Sequence, residues 1–324
     1  MRVKRVLAAG VVLAAVAALV GQATAARTAG PIAIRLPKHV FGHFRSPDGR
    51  VVDAKWGKGP GQVGLVKAEA GPTGGSSFDA LNDVVCILDQ HNGRVLLYPQ
   101  GGSPRVIPLV VSGKAGAVFR AVDSSLAVDS SGTIYVVEPT DSAHSKPILR
   151  SFSSHGGAPL ATVSTAGSNP VVRVTGKTAY VAQTLGGPWK PSMTSGRATT
   201  GAPTPYRPSP NQSRIQVLSG NTIKLTTTSG KQLTWRMSSP DHVSVADAES
   251  FGGIEAIVAL RVASSAKTEY EVLVLSGSGL LDSFSAPDDE YTSTALFDDF
   301  RVDGATVYHR GSTRKGLYVD YYSF

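Results

Sequence analysis

The residues able to do chemistry in this chain of 324 residues are its carboxylates, seven histidines and one cysteine. Asp79, Asp83, Asp129, Glu249, Asp298 and Asp299 stand on or beside short apolar runs that read as strands. Carboxylates converging from separate strands can hold a hard divalent cation such as calcium through oxygen ligands. Asp79 and Asp129 are the candidate metal ligands on that basis; the alternative for both is the fixing of a turn by a solvated side chain. No other cofactor is indicated. His39 and His43 share a face if extended, but four strand residues set them about 13 Å apart, too far to share one ion. No Cys/His group has zinc spacing. Ser264-Ser265-Ala266-Lys267 matches SxxK without its companion motifs. Gly59, Gly61 and Gly64 spell GxGxxG, yet Pro60 interrupts it and no helical pattern follows. Cys86 lies within Val84-Val85-Cys86-Ile87-Leu88 and reads as a small buried hydrophobe.

A second concentration of chemistry is cationic. Residues 184–214 hold six prolines, Lys190, Arg197, Arg207 and Arg214, the aromatics Trp189 and Tyr206, and no acid. The composition predicts a mobile or extended loop insertion rather than core. Trp189, Lys190, Arg197, Tyr206, Arg207 and Arg214 are the candidate binding residues, forming a cationic recognition arm; the alternative is a tolerated surface insertion.

The elements that must position these residues are strands. Outside the N-terminus no amphipathic helix of three turns is evident, and the 35 glycines punctuate short β-branched runs, which predicts an all-β chain. The clearest unit is residues 83–109, a meander of three strands with Asn92-Gly93 as a hairpin turn and a second turn at residues 100–104. Such a meander cannot close a core alone and must stack on neighbours. Within it Asp89, Asn92, Arg94, Val95 and Tyr98 stand as D-x-x-N-x-R-V-x-x-Y. This pattern resembles the middle of an NHL-type β-propeller repeat of secreted bacterial type, in which the Asp, Asn and Arg would tie a turn between two strands of a blade. Looser copies of the strand–turn–strand pattern occur at residues 127–138, 174–181 and 302–308, without the Asn and Arg. The equivalent positions 86, 135 and 180 lie 49 and 45 residues apart, a spacing that suits four-stranded propeller blades.

Units are expected at residues 76–118, 122–164, 168–237, 243–284 and 296–324, the third of them interrupted by the insertion. The N-terminal strands after residue 31 are expected to close the ring against the C-terminal unit, since an open ring would leave an exposed edge. Six blades fit the chain best, with five or seven as alternatives.

Arg2, Lys4 and Arg5, an Ala/Val/Leu run from Val6 to Gly21, and Ala23-Thr24-Ala25 together read as a secretory signal over residues 1–25. The alternative is an uncleaved anchor. Residues 26–324 then form a single propeller domain, secreted or extracytoplasmic, without a stable transmembrane segment. Cleavage removes three basic residues and no acid, lowering the formal charge from +8 to +5. A modest positive charge favours an anionic cell-envelope polymer or another extracellular macromolecule as partner, and export argues against nucleic acid. With a single cysteine no internal disulfide can form, so packing must stabilise the fold.

The expected function is that of a non-catalytic binding or scaffold module at the envelope or outside the cell. The alternative, implied by resemblance to gluconolactonase-like and streptogramin-lyase-like propellers, is a metal-dependent hydrolase or lyase acting on a small molecule at the central channel.

Overall fold

The computed structural model describes residues 30–324 apart from 70, 111–123, 140–145, 168, 184–186, 210–212, 252–254 and 293–297. The leader expected over residues 1–25 lies outside the described residues. Among those described, no helix is long and apolar enough to cross a membrane.

Six four-stranded sheets account for most of the chain. Sheet I is Ser77–Leu81, Val84–Asp89, Arg94–Pro99 and Arg105–Pro108. Sheet II is Ser125–Val128, Ile134–Glu138, Ile148–Ser153 and Gly156–Ser164. Sheet III is Val171–Thr175, Thr178–Ala182, Lys190–Thr194 and Arg197–Ala198. Sheet V is His242–Phe251, Glu255–Ala263, Thr268–Ser276 and Gly279–Pro287. Each is an antiparallel meander in strict sequence order. Sheets IV and VI have three such strands and borrow a fourth from the N-terminus. Arg214–Leu218, Thr222–Thr226 and Gln232–Ser238 take Ile32–Arg35 in parallel. Phe300–Asp303, Thr306–Ser312 and Gly316–Ser323 take Gly49–Lys55 antiparallel. Meandering four-stranded sheets packed face to face, with their first strands meeting in the middle, are the architecture of a β-propeller.

Burial explains the sequence pattern of each strand. Ile134–Glu138 is covered on both faces by neighbouring sheets and is buried throughout, so it reads as a continuous apolar run. Gly156–Ser164, outermost in the same sheet, alternates between exposed and half-buried positions. Successive sheets share cores: Leu88, Leu126 and Phe152 between I and II, Tyr135, Leu149 and Met193 between II and III. Trp235 and Leu260 lie between IV and V, Tyr270, Phe300 and Tyr322 between V and VI, and Phe78, Ile87 and Val319 between VI and I.

The junction from III to IV is built differently. Thr204 bridges Trp189 beside the third strand of sheet III, and Arg207 bridges Ile215 on the first strand of sheet IV. Thr175 Oγ1 donates to the Ser209 carbonyl at 3.0 Å. Residues 204–209 therefore fill the gap between two sheets. The expected unit over residues 168–237 is two sheets, and part of the expected loop insertion belongs to them: Lys190–Thr194 and Arg197–Ala198 are the third and fourth strands of sheet III, with Trp189 and Met193 fully buried.

The N-terminal segment does close the ring against the last strand, as Gly49–Lys55 pairs with Gly316–Ser323, but it first adds a strand to sheet IV and then crosses sheet V. On that crossing His39 lies between two carboxylates of one strand, Nε2 at 3.1 Å from Glu269 and Nδ1 at 3.3 Å from Glu271. Gly42 N–H donates to Glu269 at 3.0 Å, and His39 N–H to Asp241 at 2.6 Å.

The turns of sheet I also differ from the expected ones. Asn92-Gly93 ends a 3₁₀ turn over Gln90–Asn92, and Gly93 alone is left-handed. The two-residue turn with both φ positive is Asn82-Asp83.

Candidate functional site

At the centre of the ring the innermost strands bring carboxylates and guanidiniums together. Arg301 and Arg173 approach Asp298 Oδ1 at 2.6 and 2.9 Å, while Ser77 donates its hydroxyl to Oδ2. Arg301 Nε lies 3.4 Å from Asp79 Oδ1, and Asp79 Oδ2 accepts the Val128 N–H at 2.7 Å. Arg207 Nη2 donates to Glu249 Oε1 at 2.7 Å, and its other terminal nitrogen pairs with Asp247. Glu249 Oε2 accepts the Val302 N–H at 3.0 Å, and Arg173 stands 3.9 Å from Oε1. Three arginines and four acids thus tie sheets I, III, V and VI to the segment before sheet IV. All but the partly exposed Asp79 are buried, so these charges are tolerable only because partners of opposite sign are in place.

The electrostatics sort these acids by surroundings. Burial lifts the Asp79 carboxyl to about 6 against the pull of Arg301. Burial would raise Asp298 too, but Arg301, Arg173 and the Ser77 hydroxyl outweigh it and hold Asp298 below the usual carboxylate range. Burial also works against the Arg207 guanidinium, with Glu249 as its main support.

Above this network opens a cavity of about 260 Å³ lined by Asp79, Arg173, Glu249 and Arg301, with Gly176 and Pro208 on its rim. Gly176 and Pro208 also border a second cleft of about 510 Å³, walled by Tyr180, Pro191, Thr204, Tyr206 and Arg214. The two spaces are neighbours that share these two residues. The Arg214 guanidinium sits 5.7 Å over the Tyr206 ring. Among the described residues no carboxylate pairs with Arg214, and none lines this cleft.

The six candidate binding residues are dispersed accordingly. Tyr206 and Arg214 meet in the cleft. Lys190 and Arg197 are exposed on the third and fourth strands of sheet III. Trp189 is fully buried and packs on Val171 and Ala182, and Arg207, 1% exposed, belongs to the central network. A cationic segment with no acid of its own found its acids on another sheet, which local composition does not reveal.

Asp79 and Asp129 both border the channel cavity, but Asp129 is spent on fixing its own turn. It accepts the N–H groups of Ser131 and Thr133 at 2.9 Å and the Tyr135 hydroxyl at 3.1 Å. Among the described residues no three His, Cys, Asp or Glu side chains are grouped to hold one metal ion. Glu249 and Asp298 do converge on the channel, while Asp299 accepts the Tyr270 hydroxyl at 3.0 Å and Asp83 lies in an exposed turn. Arg173, Arg301 and Asp247 escaped the reading of the sequence. A signal for the arginines was present, since Val172-Arg173-Val174 and Phe300-Arg301-Val302 each place a charge inside a short apolar strand, where it requires a buried partner.

The residues carrying the NHL resemblance have a wider reach than a turn. Asp89 accepts Arg94 Nε at 2.7 Å, Asn92 at 2.8 Å and the Gly64 N–H at 2.9 Å. Asn92 and Arg94 then donate to the carbonyls of Gly57, Gly59 and Gln62, and the Tyr98 hydroxyl donates to that of Gly61. The motif clamps the glycine-rich loop of residues 57–64 onto sheet I. A Cβ at Gly64 would collide with His91, Asn92 and Asp89, so glycine is required for this approach.

No protein-family model matches the chain, and no curated protein sequence matches it. Solved structures do. A protein of Bacteroides fragilis taken to be exported aligns over 90% of this chain and 99% of its own, at 10% identity and a TM-score of 0.48. Virginiamycin B lyase from Staphylococcus aureus aligns over 76% of this chain and 80% of its own, at 13% identity and a TM-score of 0.35. BamB from Moraxella catarrhalis aligns over 76% and 81%, at 12% identity and a TM-score of 0.30. At these values the assignment of a β-propeller rests on the sheet order of this chain itself.

Proposed function

We propose that the protein is exported and acts as a non-catalytic binding module at or outside the cell envelope, with the cleft of Tyr180, Tyr206 and Arg214 as its contact surface. One observation carries this reading: the channel carboxylates are each engaged by a buried arginine or a backbone N–H, while Arg214 stands exposed beside two tyrosines with no acid in its cleft. A metal-dependent hydrolase or lyase would need channel carboxylates free to ligate a cation, and Asp79, Glu249 and Asp298 are committed to other partners. Exposed cations on a concave surface favour an anionic polymer, through attraction that salt weakens.

The test is co-sedimentation of the purified protein with isolated cell-envelope fragments. Retention is expected at low ionic strength, with release as salt rises. Tyr206→Ala with Arg214→Gln should abolish retention at an unchanged melting temperature. Equal retention of parent and variant, or none by the parent, refutes the proposal. Point substitutions are needed because deleting the whole cationic segment would remove a strand and a junction of the ring.

A further inference from the structure

We infer that the cleft between sheets III and IV receives a pyranose residue bearing one carboxylate, a uronic-acid unit of an acidic polysaccharide. The inference rests on the proposed binding role and names the chemistry of its ligand. Three features of the cleft match three features of such a sugar. Tyr180, Tyr206 and Pro191 offer flat apolar surface, which suits the C–H faces of a pyranose ring. Thr204 also lines the cleft, and its hydroxyl, which accepts the Tyr206 N–H at 3.2 Å, keeps its own proton to donate to a ring hydroxyl; the Thr175 hydroxyl is spent on the Ser209 carbonyl. Arg214 supplies one guanidinium, 5.7 Å over the Tyr206 ring and without a carboxylate partner among the described residues, whose N–H groups suit a carboxylate.

Charge count separates this ligand from others. A neutral sugar would leave Arg214 without a partner. A densely phosphorylated polymer would call for several cations, and the second arginine in the lining, Arg207, is already bound by Asp247 and Glu249. Polyol phosphate chains also lack a ring face to stack. The volume of about 510 Å³ falls inside the range of roughly 300–1,000 Å³ typical of small-molecule sites, enough for a short oligosaccharide lying across the tyrosines toward the channel mouth.

The experiment is calorimetric titration of the purified protein with trigalacturonate, with a neutral galactose trisaccharide and a triglutamate peptide as comparison probes. Saturable one-to-one binding of trigalacturonate is expected, at least about tenfold tighter than either comparison probe and weakening with salt. Arg214→Gln should cost roughly tenfold in affinity, and Tyr206→Leu should weaken acidic and neutral saccharides alike. Both variants must melt with the parent, and Arg214→Lys should recover part of the loss. Equal binding of acidic and neutral trisaccharides, or full affinity in Arg214→Gln, overturns the inference. Preferential binding of triglutamate overturns it in favour of an acidic peptide. Binding of none of the three while envelope retention persists overturns the ligand class and leaves the binding role standing; loss of retention as well removes both.

Discussion

Arg207 offers the sharpest separation of folding from binding. It is 1% exposed, donates to Glu249 at 2.7 Å and pairs with Asp247, and its N–H donates to the Ile215 carbonyl at 2.7 Å. Arg207→Met preserves the backbone bond and most of the volume but leaves two buried carboxylates short of a cation. Glu249 retains the Val302 N–H and a distant Arg173, whereas among the described residues Asp247 keeps the N–H of Ala248 alone. Removing one partner of a buried pair costs about 3–5 kcal/mol. At about 2 °C per kcal/mol in a chain of this size, the melting temperature should fall by about 6–10 °C in a thermal scan by circular dichroism. Arg207→Met combined with Asp247→Asn should recover a substantial part of that fall, because the uncompensated charge is gone. A melt within about 1 °C of the parent, together with loss of envelope retention, would refute the assignment of Arg207 to the central network and return it to the binding surface.

The remaining expectations concern pH, the cysteine and the N-terminal crossing. Burial raises the carboxyls of Asp79 to about 6 and Glu290 to about 7, so the folded state binds more protons than the unfolded one between the ordinary carboxylate values and these. Stability should therefore fall as pH rises from about 4 to about 7, and Asp79→Asn with Glu290→Gln should flatten melting temperature against pH in that window; an unchanged slope would contradict the assignment. Cys86 is buried, with its thiol pushed well above the usual range by burial and then by Asp79. It should resist a disulfide reagent at pH 8 in the native protein and react after denaturation, and fast native labelling would place it elsewhere. His39→Ala leaves Glu269 and Glu271 side by side without their bridge, at a cost of about 1–3 kcal/mol, and should open residues 37–48 to proteolysis; a cleavage pattern matching the parent would show that the crossing is held by backbone bonds alone.

Strand chemistry and punctuation were legible from the sequence. The buried run around Cys86, the turns with glycine and the recurrence near forty-five residues reported an all-β chain of repeated meanders, because strand burial and turn geometry are local requirements. The clamp of Asp89, Asn92 and Arg94 was visible as a pattern, although its target, the loop of residues 57–64, lies upstream and carries no local mark of the contact. What folding alone decided is long-range. Residues 190–194 became a strand because Ala179 and Tyr180 offered an open edge and because Met193 and Trp189 found a core there. Ile32–Arg35 joined sheet IV, some two hundred residues away, rather than the C-terminal sheet. Arg207 and Arg214, seven residues apart in one cationic segment, took opposite fates: Asp247 and Glu249 drew the first into the centre, and no acid among the described residues met the second. Charge on a segment is a property of its sequence, but whether that charge is neutralised inside the fold or left for a ligand depends on which distant strands the ring brings against it.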